Sequence, residues 1–108
     1  MQDILDHNYI LDDQCATLKT PAAICSSLAT GIVMETFTTE PALQVYSGAC
    51  LENSPLGKYG IPNEKFSAFC LEAQKYPDAP NHPNFPSVVL RQGEEYQQTT
   101  IYRFKVNS

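Results

Sequence analysis

The side chains able to do chemistry in this sequence are few, and the stretch FSAFCLEAQ at positions 66–74 holds the most telling of them. A single ionisable carboxylate, Glu72, closes a run that otherwise has the composition of a sheet interior. Burying such a group without partners is costly unless it takes up a proton, so it either has partners or does chemistry. On an extended strand Glu72 shares a face with Phe66, Ala68, Cys70 and Gln74, with Ser67, Phe69, Leu71 and Ala73 opposite. A carboxylate among apolar neighbours is the kind of group general base catalysis uses, because it must take and return a proton near neutral pH. The alternative is that the strand ends at Glu72 and the side chain enters solvent.

Two further stretches offer hydrogen-bonding groups. Asp6-His7-Asn8-Tyr9 precedes the apolar pair Ile10-Leu11 and reads either as a strand entry placing Asp6 and Asn8 on a ligand face or as a turn. Gln44 stands inside the apolar run Ala42-Leu43-Gln44-Val45-Tyr46. A buried amide there needs a partner, which a backbone group or a sugar hydroxyl can supply. Glu35 alternates with Val33 and Phe37 and is expected at an edge or in solvent, while Glu40, before Pro41, is expected to be a turn carboxylate. His7 and His82 are the only two histidines and lie far apart in the chain, which gives a histidine metal cluster little support. A Ser-His-Asp catalytic set lacks a nucleophile elbow.

The elements that must position these residues read as strands. Helical periodicity is almost absent, and period-two or continuously apolar runs recur between turn signals. Strands are expected at 8–11, 15–25, 31–38, 42–46, 67–73, 87–90 and 96–106, an all-β pattern that suggests a sandwich of antiparallel strands. In the last of these, Tyr102, Phe104 and Val106 share a face expected to pack inward. Two irregular segments, 51–65 and the four-proline stretch 75–86, flank the Glu72 strand, and loops of that length are more often functional than decorative. No internal repeat or dividing linker is visible.

Length and composition bound the rest. With 108 residues, 43% of them hydrophobic and 18% charged, the chain has the makings of one packed domain, 1–108. A net charge of −5 with only seven Lys and Arg opposes nucleic acid as a partner. No apolar run approaches the roughly 18 residues of a membrane span, and the acidic start MQDILDHNY has no export-signal pattern. Cys15, Cys25, Cys50 and Cys70 show no CxxC spacing and sit among apolar or small neighbours, so reduced core thiols and a cytoplasmic setting are expected ahead of disulfides or a metal site.

Resemblance adds to this reading. The stretches DHNYIL (6–11), SLATGIVMETFTTEPALQVYSG (27–48) and FCLEAQKYPDAPNHPNFPSVVLRQGEEYQQTTIYRF (69–104) resemble, in order, the C-terminal part of the aldose 1-epimerase (galactose mutarotase) family. The resemblance implies a partial galactose-mutarotase-like β-sandwich and interconversion of the α and β anomers of galactose, glucose and related aldoses, with no metal or organic cofactor. By the CLE(T/A)Q motif Glu72 corresponds to the general base. By the DHNY and LQ(V/F)Y motifs, Asp6 and Gln44 correspond to sugar-binding residues.

The family's general-acid histidine lies upstream of DHNY, and neither His7 nor His82 matches its motif. The chain is therefore expected to carry the base and part of the sugar site without the acid. Uncovered strand edges and apolar faces are expected to lead to self-association or to pairing with an N-terminal partner segment. The reading that competes with an isomerase fragment is a carbohydrate-binding β-module without turnover.

Overall fold

The computed structural model describes residues 4–106. They form six strands: β1 (Asp6–Ile10), β2 (Ala23–Ser26), β3 (Ile32–Thr38), β4 (Ala42–Tyr46), β5 (Cys70–Gln74) and β6 (Thr100–Val106). These make two three-stranded sheets, ordered β1-β4-β5 and β2-β3-β6, and every pairing is antiparallel. The helical elements among the described residues are short 3-10 turns of five residues or fewer. The all-β expectation therefore holds, as a partial sandwich.

Several boundaries differ from the sequence reading, each for a local reason. The strand expected over 15–25 is split: a 3-10 turn takes Asp13–Thr17, Leu18 adopts φ 60°, and pairing begins only at Ala23. Pro21 lies in that gap and cannot donate to a ladder. Residues 87–90 are not a strand, and the run expected from 96 pairs only from Thr100, because β3, its partner, ends at Thr38. β5 starts at Cys70 rather than at 67 and runs on to Gln74, so Glu72 is its central residue.

Only residues 39–41 separate β3 of one sheet from β4 of the other, and the core sits where the sheets meet near that link. Val33, Phe37, Ala42, Leu43 and Leu71 are buried there, along with Thr36 and Thr38. The Tyr102 hydroxyl donates to the Leu71 carbonyl at 3.0 Å, joining β6 to β5 across the sheets. Away from this junction the apolar surface is uncovered. Phe104 is 66% and Val106 69% exposed, so the face expected to pack inward meets solvent over most of its length. A cleft of about 460 Å³ lies beside Tyr9, Pro21, Leu43 and Val45. The radius of gyration is 16.6 Å, whereas a compact chain of this length has one of roughly 13 Å.

Glu35 corrects the expectation of an edge or solvent position. It lies on the central strand β3 with its side chain 13% exposed, held by Lys105 Nζ at 2.7 Å and Arg103 Nη1 at 3.6 Å. Of the four free cysteines only Cys15 is buried. Cys50 and Cys70 are exposed and Cys25 is intermediate, so the core-thiol expectation fits Cys15 alone.

Candidate active site

Strand register decides which of the candidate side chains meet. In the β1-β4-β5 sheet the rungs Asp6–Tyr46–Cys70, Asn8–Gln44–Glu72 and Ile10–Ala42–Gln74 lie side by side. Because successive side chains alternate between faces, Asp6, Asn8, Gln44, Glu72 and Gln74 share one face. Tyr9, Leu43, Val45, Leu71 and Ala73 take the other. Hydrogen-bonding groups thus gather on one face, beside Ile10, Ala42 and Cys70, while Leu43 and Leu71 on its reverse are buried.

The polar groups on that face are already linked to one another. Nε2 of Gln44 donates to Oδ1 of Asp6 at 2.7 Å. Nε2 of Gln74 donates to Oδ1 of Asn8 at 2.9 Å and lies 3.5 Å from Oε1 of Gln44. These contacts fix the orientation of the Gln44 amide: its nitrogen end faces a carboxylate and its oxygen end faces an amide donor. The second Nε2 hydrogen of Gln44 and the remaining lone pairs of Asp6 and Asn8 are left for a ligand rich in hydroxyls.

Glu72 stands directly opposite Gln44 in the β4–β5 ladder and is exposed. Its surroundings correct the expectation of apolar neighbours. Phe66 and Ala68 lie outside the strand, with Phe66 at φ 60°, and the cross-strand neighbours are amides. Of the alternative, the strand end at Glu72 fails, since pairing continues to Gln74, while the solvent-exposed side chain holds. A carboxylate placed among oriented amides can accept a proton from a bound hydroxyl, or simply accept a hydrogen bond from it.

Glu40 is at a turn, as expected, but is only 2% exposed. His7 lies on the opposite face of β1 from Asp6, and His82 pairs with Asp78 at 3.0 Å in the proline-rich loop, where it stacks on Phe85. Gln74 and Asn8 complete the network, and Gln74 was the harder to single out. The signal for it was period two from Glu72, but its partner Asn8 is two strands away and 66 positions earlier in the chain.

A family model described as Aldose 1-epimerase matches residues 1–103. Similar curated proteins include a "Galactose mutarotase" of Homo sapiens, 45% identical over 101 residues, and one of Rattus norvegicus at 43%; each alignment covers 94% of this chain and 29% of the relative. An "Aldose 1-epimerase" of Escherichia coli (strain K12) is 36% identical, over 92% of this chain and 29% of its own length. The chain thus spans less than a third of the length of the curated relatives it matches.

Proposed function

The chain belongs to the aldose 1-epimerase family, and on that premise we propose that its polar β1-β4-β5 face binds an aldose and that Glu72 is the base of an anomer-interconverting reaction. Glu72 takes the proton of the C1 hydroxyl as the ring C1–O bond breaks, and the ring oxygen takes a proton from water or from an acid group that is not on this face. The C1 carbonyl of the open chain turns its other face, and the steps reverse with the opposite configuration. Asp6 and Gln44 hold the sugar hydroxyls so that C1 stays beside Glu72 throughout. Residues 1–108 correspond in this reading to the C-terminal portion of the family's sandwich, without its acid histidine.

The observation that carries the proposal is the rung Gln44–Glu72 with Gln44 bonded to Asp6: three residues from three strands converge on one face. The uncovered apolar surface supports self-association or an N-terminal partner segment as the company in which the chain works. Four unpaired cysteines support a reducing, cytoplasmic setting. Among the described residues no helix is long and apolar enough to cross a membrane.

The test is polarimetry of freshly dissolved α-galactose. Acceleration that falls by about 10²- to 10⁴-fold in Glu72→Gln is the expected result. Acceleration unchanged by that substitution would remove Glu72 from the base role. A second reading, a sugar-binding module without turnover, is favoured by the position of His7 on the far side of the sheet. It predicts galactose-induced NMR shifts at Asp6, Gln44 and Glu72 with no effect on the rate of mutarotation.

A further inference from the structure

Glu40 is a buried carboxylate with no part in the chemistry above. It lies in the short link between β3 and β4, its side chain 2% exposed, and its backbone N–H donates to Thr38 Oγ1 at 3.1 Å. Lys75 Nζ approaches Oε1 at 3.6 Å, while Oε2 is buried without a hydrogen-bond partner. Lys75 immediately follows β5, and its ammonium lies 5.7 Å from the ring centre of Tyr96, which leads toward β6. Tyr96 as a whole is 53% exposed, and its phenol is pushed up from its ordinary pKa by partial loss of hydration first and then by the neighbouring Glu40 carboxylate. One charge in the inter-sheet link therefore meets the end of β5 and the approach to β6.

Stability alone is a poor reason for such an arrangement. Glu40 is buried but Lys75 keeps 39% of its side chain exposed, so the pair is half-screened by solvent and adds little net stability. What a charge held in a buried link can supply instead is a unique alignment. The alignment at stake is visible in the register. The last rung of the β4–β5 ladder is Ala42↔Gln74, and the Glu40–Lys75 pair lies just beyond it. A slip of one residue in that ladder would turn Glu72 to the apolar face, because strand side chains alternate.

We propose that Glu40 is a positioning residue: through Lys75 it pins the end of the β4–β5 ladder and so keeps Glu72 opposite Gln44 on the sugar face. This rests on the catalytic reading of Glu72 for its rate consequences but not for its geometry.

The test uses the whole chain with the double substitution Glu40→Met, Lys75→Met, followed by urea unfolding, NMR of the Gln44 and Gln74 side-chain amides with the cross-strand contacts of Glu72, and galactose mutarotation kinetics. The urea midpoint is expected to hold or rise while the amide signals move and the Gln44–Glu72 contacts weaken. Where wild type turns over, kcat is expected to fall about 10- to 100-fold, the scale of a small misplacement of reacting groups, with KM little changed. Lys75→Arg, which keeps the charge, is expected to preserve all three readouts. Unchanged amide signals and contacts in the double variant would overturn the proposal. If the double variant does not fold, Glu40→Gln carries the same readouts. A wild type without turnover counts against the reading of Glu72, whereas the NMR comparison still decides the role of Glu40.

Discussion

Gln74 on β5 reaches over β4 to donate to Asn8 on β1, at 2.9 Å. Such a bridge spans two strand spacings, roughly 9–10 Å of backbone, and needs a low saddle between its ends. Ala42 provides it: it is the β4 residue on the same rung as Gln74 and is fully buried. Ala42→Leu should therefore lift the Gln74 amide away from Asn8 and Gln44. Overpacking of this kind costs about 1–3 kcal/mol, which urea denaturation would register. The Gln44 amide would also lose its preferred orientation, so galactose affinity should drop by more than the stability change explains. Affinity equal to wild type would mean that the bridge has no part in ordering the polar face proposed to bind sugar.

The bond from Gln44 to Asp6 makes a separate prediction. Asp6→Asn retains an acceptor oxygen in nearly the same place but removes the charge, and hydrogen bonds to charged groups are roughly twice as strong as neutral ones. Because Asp6 is exposed, fold stability should change by less than about 1 kcal/mol. Sugar binding should weaken by about tenfold, the scale of one charge-assisted hydrogen bond, as read by NMR titration with galactose. A large loss of stability with unaltered binding would make Asp6 a structural residue.

How far the sequence made this arrangement legible depends on whether the signal was local. β4 was readable to the residue, because Ala42–Tyr46 is bounded by Pro41 and by Ser47-Gly48, and its apolar run is interrupted only by Gln44. Motifs singled out Asp6, Gln44 and Glu72 one by one, and the pairing of β1, β4 and β5 brings the three onto one face. Their environment was not readable. The apolar neighbours inferred for Glu72 assumed that strand alternation extended back to Phe66, whereas a positive φ at Phe66 breaks the strand before it starts. Glu35 shows the same limit: alternation placed it on a face, but only the pairing of β3 with β6 shows that Arg103 and Lys105 cover it. The expected strand 15–25 failed at Leu18, whose left-handed conformation has no marker in an apolar side chain.

The loop that delivers β5 depends on Gly48. It adopts φ +76°, and a Cβ there would collide with the Ala68 carbonyl oxygen and press on the Leu51 side chain. Its own carbonyl accepts hydrogen bonds from the N–H groups of Phe66 and Leu51, so the residue ties both ends of the 51–66 excursion. Gly48→Ala combines a left-handed conformation, costing about 1–2 kcal/mol for a residue with a side chain, with a backbone clash that side-chain movement cannot relieve. The expected outcome is a loss of about 2 kcal/mol or more in urea unfolding. Amide exchange in β5 should rise more than in β2. Uniform exchange across both sheets would indicate that Gly48 acts on global stability instead of on the delivery of the Glu72 strand.

Glu35 sets how the second sheet responds to acid. The hydrogen bond from Lys105 holds its carboxyl below the ordinary glutamate value of 4.5, burial opposes this, and the charges of Lys105 and Arg103 add to the lowering. A group whose pKa is depressed by folding favours the folded state above its unfolded pKa, and that contribution disappears as pH falls through the folded value. Stability supplied by Glu35 is therefore complete near neutrality and drains away below about pH 4.5. Glu35→Gln should be less stable than wild type at roughly pH 7, and the gap should narrow progressively as pH falls below about 4.5, as compared by urea midpoints. Both cations are about half exposed, at 49% for Lys105 and 60% for Arg103, so added salt should narrow the neutral-pH gap. Arg103 also stacks over the buried Phe37 ring at 4.6 Å. Arg103→Ala should thus cost packing that salt does not screen, and its destabilisation should persist at both pH values. A neutral-pH gap for Glu35→Gln that was unchanged in acid would show the pair to be held by packing alone.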